Sequence, residues 1–162
     1  MTDIAIQDTY PEDLSQCYGC GRLNELGLQL KTYWRDGETL SHFTPEARHT
    51  AIPGYVYGGL IASLFDCHGT ATAAAAARHA EGGAPGDAPP RFVTASLQVD
   101  FDKPTPLGGP LEIHGRVDEL KERRVIVEMT LSAEGVVRAR GRVVAARMPA
   151  SMTPQAAALA GA

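Results

Sequence analysis

The stretch from Ala51 to Arg78, AIPGYVYGGLIASLFDCHGTATAAAAAR, constrains this chain more than any other. It opens as a loop through Pro53 and Gly54 and passes Gly58 and Gly59. From there only Gly69 interrupts it before Gly82-Gly83. A glycine inside a helix costs about 1 kcal/mol, so the pattern predicts one long helix. At about 100° per residue, two faces separate. Gly59, Ser63, Asp66, Thr70 and Ala73 form a narrow stripe of small or polar residues, while Leu60, Ile61, Leu64, Phe65 and His68 form a side broad enough to cover a sheet. One carboxylate is centred on a face too small-sided for ordinary core. The glycines fall at the helix start, where N–H groups lack intrahelical partners and the dipole favours a polarised or negative oxygen. Donors at a helix tip and a carboxylate two turns along are parts that an acyl-transfer site needs.

The rest of the chain reads mostly as strands. Residues 1–16 are weakly patterned, a tail or a short helix over the body, and CYGCGRLNELGL is an irregular loop. Leu28–Trp34 alternates as a strand, Asp36-Gly37 turns, and Thr39–Phe43 returns. After the Gly/Pro-rich loop EGGAPGDAPP, Phe92–Lys103 sets Val93, Ala95, Leu97, Val99 and Phe101 against Thr94, Ser96, Gln98, Asp100 and Asp102. Leu111–Asp118, Arg124–Leu131 and Val136–Ala146 alternate in the same way, and the segment from Pro149 is expected to fray. The expected class is α+β, an antiparallel sheet of about five to six strands wrapped around one long central helix. The expected domain spans 17–148, with tails at 1–16 and 149–162. One helix cannot cover both faces of such a sheet, so a second copy is expected: a homodimer or a dimer of dimers.

Composition excludes several functions. The chain has 162 residues and a formal net charge of −4, against nucleic-acid binding, which goes with a basic excess. No apolar run approaches the roughly 20 residues of a membrane span, and the acidic start is unlike a signal peptide. Three cysteines do not make a disulfide framework, so a cytoplasmic setting is expected.

The motif GYVYGGLIASLFD resembles that of hotdog-fold acyl-CoA thioesterases of the PaaI-like, phenylacetate-pathway type. Two further pieces support the likeness: CYGCGRLNELGLQL before the helix, and TASLQVDFDKPTPLGGPLEIHGRV with its Pro-x-Pro turn after it. The resemblance implies a hotdog fold and a site at a dimer interface, with no metal and no cofactor. The Gly59 N–H, with that of Gly58, would hold the thioester carbonyl oxygen of a small or medium acyl-CoA. Asp66, from the partner subunit in many such enzymes, would activate water or attack the carbonyl itself. Tyr57 stands where the family commonly has His before Gly-Gly. A phenol with a reference pKa near about 10 donates a hydrogen bond at neutral pH but shuttles protons poorly. That departure sustains an alternative, a non-catalytic acyl-CoA or acyl-group binding protein. Ser63 on the stripe joins Tyr57 and Gly58 as a substrate-binding candidate, and Lys103 and Arg123, on two turns, are candidates for coenzyme A phosphates.

Other features have plainer readings. Cys17-x-x-Cys20 would need Cys67 and His68 to complete a four-ligand zinc site, and His68 is expected on the sheet-facing side as a hydrogen-bonded core residue. A thioredoxin-like role would want a βαβ context. Two thiols in a packed loop are therefore expected. Asn24 reads as a loop stabiliser, His49 as close enough to the central loop to line it, and Arg138, Arg140 and Arg142 as a solvated strand face. A dehydratase would want His and acid together, whereas Asp66 and His68, two positions apart on a helix, point in different directions.

Overall fold

The computed structural model describes residues 3–161. Its long helix, α1, spans Gly58–Ala80, as the glycine punctuation predicts. Six strands form one sheet: β1 (Thr32–Arg35), β2 (Glu38–Phe43), β3 (Phe92–Phe101), β4 (Leu111–Leu120), β5 (Arg124–Ala133) and β6 (Val136–Arg147). Their spatial order is β1-β2-β4-β5-β6-β3, with every neighbouring pair antiparallel. The sheet curls around α1. Leu60, Ile61, Leu64 and Phe65 pack with Leu111, Ile113, Val125, Val127, Leu131 and Val143 in one core. Gly69 lies at the closest approach: a Cβ there would come within 2.4 Å of the Val143 side chain. Its helix-propensity cost is thus exchanged for tight helix–sheet contact.

From Cys67 to Arg78 every residue of α1 is buried. The sheet covers one side, and the N-terminal segment covers part of the other. Two 3₁₀ turns, Ile6–Thr9 and Glu12–Leu14, lay Ile6 and Tyr10 against Ala71 and Ala75. Gln7, also buried, accepts from the Thr32 N–H (2.8 Å) and donates to the Thr32 hydroxyl (2.9 Å). The alanine run is therefore the helix surface against which backbone can approach from both sides. Beyond Met148, a 3₁₀ turn leads into a short helix, α2 (Pro154–Ala160), capped by the Thr153 hydroxyl and without a buried residue.

Two local expectations need correction. The strand expected over Leu28–Trp34 begins only at Thr32. Gln29 takes a left-handed conformation (φ 51°), and the Leu28 and Leu30 N–H groups bond back to the Tyr18 and Gly19 carbonyls instead of a strand. The second correction concerns β3. Its pairing with β6 shifts register between Thr94 and Ser96, a β-bulge. The extra residue inverts the alternation, so Thr94 shares the helix-facing side with Phe92, Leu97 and Val99 rather than lying opposite them.

The two sheet edges differ. β1 is four residues long, whereas β3 runs ten, bonds only to β6, and ends in an exposed Phe101. A long edge of that kind is a template for pairing with another chain.

Candidate active site

The chain enters α1 through a braced loop. Tyr57 N–H bonds to the His49 carbonyl (2.8 Å), Val56 N–H to Thr105 (2.9 Å), and Leu107 N–H to Gly54 (2.9 Å). The Pro104–Leu107 turn after β3 thereby holds the loop, and Lys103 lies exposed at this end of the helix. His49 is taken up in the same bracing, its ring accepting from the Glu46 N–H (2.9 Å). Tyr57 caps the helix: its carbonyl takes the Leu60 and Ile61 N–H groups (3.1 and 3.4 Å). The Gly58 and Gly59 N–H groups fall outside that ladder and face the helix tip. The Tyr57 ring folds over Gly59, whose missing Cβ would stand 2.3 Å from it. Phe101 lies beside Gly58. Tyr55, Tyr57 and Phe101 leave an exposed aromatic rim around the tip, with Tyr57 58% accessible.

Asp66 lies two turns along. Its carboxylate is half-buried and accepts a hydrogen bond from the Thr94 hydroxyl on β3, leaving its other oxygen without a protein donor among the described residues. Ser63, between tip and carboxylate, donates to the Gly59 carbonyl (2.9 Å) and retains acceptor capacity. The predicted stripe thus opens outward at Gly59, Ser63 and Asp66 and closes at Thr70 and Ala73, both buried.

Gly59 and Asp66 are seven residues apart on one straight element, about 10 Å along the axis at 1.5 Å per residue. One carbonyl group cannot touch both within a single chain. Arg123 is farther still. Its carbonyl accepts from Arg147 in the β4–β5 hairpin, which packs by Ala77 and Ala80 at the opposite end of α1. Within one chain the structure brings together Tyr57, Gly58, Gly59, Ser63 and Lys103, places Asp66 beyond them, and leaves Arg123 remote. Arg140 and Arg142 are paired with Asp102 (2.9 Å) and Glu128 (3.0 Å), and Asn24 donates to the Gln16 carbonyl (3.2 Å) as a loop stabiliser would.

His68 turns the other way. It is fully buried, its ring nitrogens bonded to Thr39 (3.0 Å) and Ser41 (2.8 Å) on β2, and burial pushes its pKa down to about 3. The ring is neutral, and its two nitrogens are fully used.

The structure brings Cys67, without His68, to the Cys17–Cys20 loop. Its sulfur lies 3.8 Å from that of Cys17, and the sulfurs of Cys17, Cys20 and Cys67 all lie within 4.8 Å of one another. Hydrogen bonding by Cys20 and then by Cys67 holds the Cys17 thiol well below its ordinary range. His68 takes no part. Of the described residues, these three are the set able to hold a metal ion.

The comparisons agree with this architecture. The family model described as the thioesterase superfamily matches residues 53–144. A thioesterase superfamily protein from Shewanella loihica PV-4 is 48% identical over 84% of this chain and 96% of its own, with a TM-score of 0.66. The E. coli PaaI protein from the phenylacetic acid degradation operon shares the fold at 15% identity (TM-score 0.62, 75% of this chain and 81% of that one). So does smu.793 from Streptococcus mutans UA159, a structure bound to acetyl CoA, at 16% identity (TM-score 0.63, 78% and 96%). No curated protein matches the chain. A six-stranded antiparallel sheet wrapped on one helix is the hotdog arrangement, and with these matches the chain belongs to the thioesterase superfamily.

Proposed function

We propose that the chain hydrolyses acyl-CoA thioesters at a site shared between two subunits, with Asp66 of one acting beside the helix tip of the other. The observation that carries this is the half-open Asp66 carboxylate, held by Thr94 on one oxygen and free on the other, on the helix face next to the long open edge of β3. The separation of about 10 Å between Asp66 and Gly59 in one chain calls for the second copy. Edge-to-edge pairing of β3 would supply it, and the exposed Phe101 would be covered in the process. A soluble thioester seated there places its carbonyl oxygen on the Gly59 N–H, assisted by Gly58 and the helix dipole.

The chemistry then balances simply. Asp66 takes a proton from water as the water oxygen bonds to the carbonyl carbon, and the π electron pair moves onto the oxygen held by Gly59. Collapse of that tetrahedral intermediate breaks the C–S bond, and the thiolate leaves with the proton returned through Asp66. Tyr57, at the tip with its hydroxyl exposed, donates to the substrate rather than shuttling protons. Lys103, exposed at the same end of the helix, would meet the diphosphate of coenzyme A, and Ser63 would line the path between tip and carboxylate. Within one chain Arg123 lies at the opposite end of α1 from Lys103.

The test is free-thiol release from short-, medium- and long-chain and aromatic acyl-CoAs, with Asp66→Asn alongside. Turnover by the native chain and its collapse in the variant support the reading. Undiminished turnover in a folded Asp66→Asn protein would overturn it.

A further inference from the structure

Acyl transfer does not use the three cysteines, yet the fold gathers them with care. Cys17 and Cys20 sit on the turn Cys17–Gly21, closed by a hydrogen bond from the Gly21 N–H to the Cys17 carbonyl (2.7 Å). Cys67 reaches them from α1, one residue beyond Asp66. Gly19 permits the approach: a Cβ at that position would lie 2.3 Å from the Cys67 sulfur. All three thiols are free, Cys20 and Cys67 are buried and Cys17 is half-buried.

We propose that Cys17, Cys20 and Cys67 form a three-thiolate site for a thiophilic divalent cation of the zinc type, which clamps the N-terminal loop to the turn of α1 that carries Asp66. Zinc–sulfur bonds of about 2.3 Å in a tetrahedron place two sulfurs about 3.8 Å apart. The Cys17–Cys67 separation is 3.8 Å, and the remaining pairs lie within 4.8 Å. Only a small inward movement of Cys20 is required. The half-buried Cys17 leaves one open side, where a water molecule completes four-coordination.

A second feature points the same way. Three thiolates and a divalent cation carry one net negative charge. The half-buried Arg91 forms no ion pair with a carboxylate among the described residues. Its guanidinium lies 4.3 Å from the centre of the Tyr10 ring, which is itself buried beside the cluster with an unpartnered hydroxyl. A half-buried cation without an acid and a buried phenol without an acceptor both suit an anionic metal–thiolate centre.

The test uses the full-length chain, purified under reducing conditions from cells supplied with zinc. About one zinc per chain is expected by elemental analysis, and titration of metal-free protein with Co²⁺ should give thiolate-to-cobalt charge transfer and the visible bands of a tetrahedral ion. Cys17→Ser, at the half-open position, should keep its far-UV circular dichroism and lose at least about tenfold in Zn²⁺ affinity. Cys67→Ser should lose the cobalt spectrum as well, while Asp66→Asn keeps it whether or not the hydrolase reading holds. Native protein that neither carries zinc nor gives the cobalt spectrum would overturn the site. So would metal binding unchanged in folded Cys17→Ser, or a Cys17–Cys67 disulfide in freshly purified protein.

Discussion

Asp66 and His68 sit two residues apart on the same helix and have opposite fates. Asp66 faces the open edge of the sheet, half-buried, with one protein donor and one oxygen to spare. His68 faces inward, completely buried, with both nitrogens engaged by Thr39 and Ser41. Thr39 continues to Thr72 (2.6 Å), and Ser41 to Thr32 (3.0 Å) and so to Gln7. This polar layer ties β1, β2, α1 and the N-terminal segment together. The difference teaches how to separate chemistry from construction in a polar residue. A side chain whose hydrogen-bonding capacity is spent inside the protein specifies the fold; one with capacity left over and access to solvent can act on a substrate.

The sharpest way to break the comparison is to exchange function for structure at each position. Asp66→Asn keeps shape and Thr94 contact but cannot accept a proton from water. Its kcat should fall about 10²–10⁴-fold, with stability within about 0.5 kcal/mol of native in urea denaturation. His68→Ala should show the reverse. It leaves a cavity and two orphaned hydroxyls, for a loss of about 3 kcal/mol in the same denaturation experiment, while the folded protein keeps kcat within about twofold. A His68→Ala protein that is stable but inactive would place the histidine in the chemistry and dissolve the distinction.

Acid provides a subtler version. The pKa of His68 is about 3 in the folded chain against 6.5 as its ordinary value. Between those limits the unfolded state binds the extra proton, so stability rises with pH across the window and is lost as pH falls from 6.5. The slope from this one group approaches about 1.4 kcal/mol per pH unit. Glu112 and Glu119, whose pKa values are lowered by hydrogen bonds from His114 and from Lys121, add their own acid losses only below about 4.5. Urea titrations between pH 5 and 6.5 therefore isolate His68, and His68→Asn should flatten the dependence there.

Much of this was legible in the chain. The glycines bracketing α1, its apolar side, the outward stripe and the five longer strands follow from periodicity, because each is a local pattern repeated over many residues. So does the inward turn of His68. Non-local events were not legible. Cys67 meeting Cys17 depends on how a loop fifty residues upstream folds back, which spacing cannot encode. Arg123 was grouped with Lys103 because both lie on turns, yet the two turns fall at opposite ends of the helix. The N-terminal segment has weak periodicity because its buried residues, Ala5, Ile6, Gln7, Tyr10 and Ser15, are spaced by 3₁₀ turns and follow neither a helix nor a strand repeat.

Thr94 is the instructive miss. Strict alternation sets it opposite Val93, Leu97 and Val99 with the polar residues of β3. The bulge after it adds one residue, reverses its direction and aims its hydroxyl at Asp66. A bulge leaves no composition signal here, since Ala95 and Ser96 suit either geometry. If the carboxylate is the reacting group, Thr94 is a positioning residue whose contribution is one hydrogen bond, about 1 kcal/mol. Thr94→Val should lower kcat roughly fivefold with little change in KM, and Thr94→Ser, which restores the hydroxyl, should recover it. A merely structural threonine would behave otherwise: valine, nearly isosteric and β-branched, would be the better tolerated of the two, and serine the more damaging in a strand. Comparing the two substitutions by kcat and by urea denaturation decides whether the bulge serves the site or only the sheet.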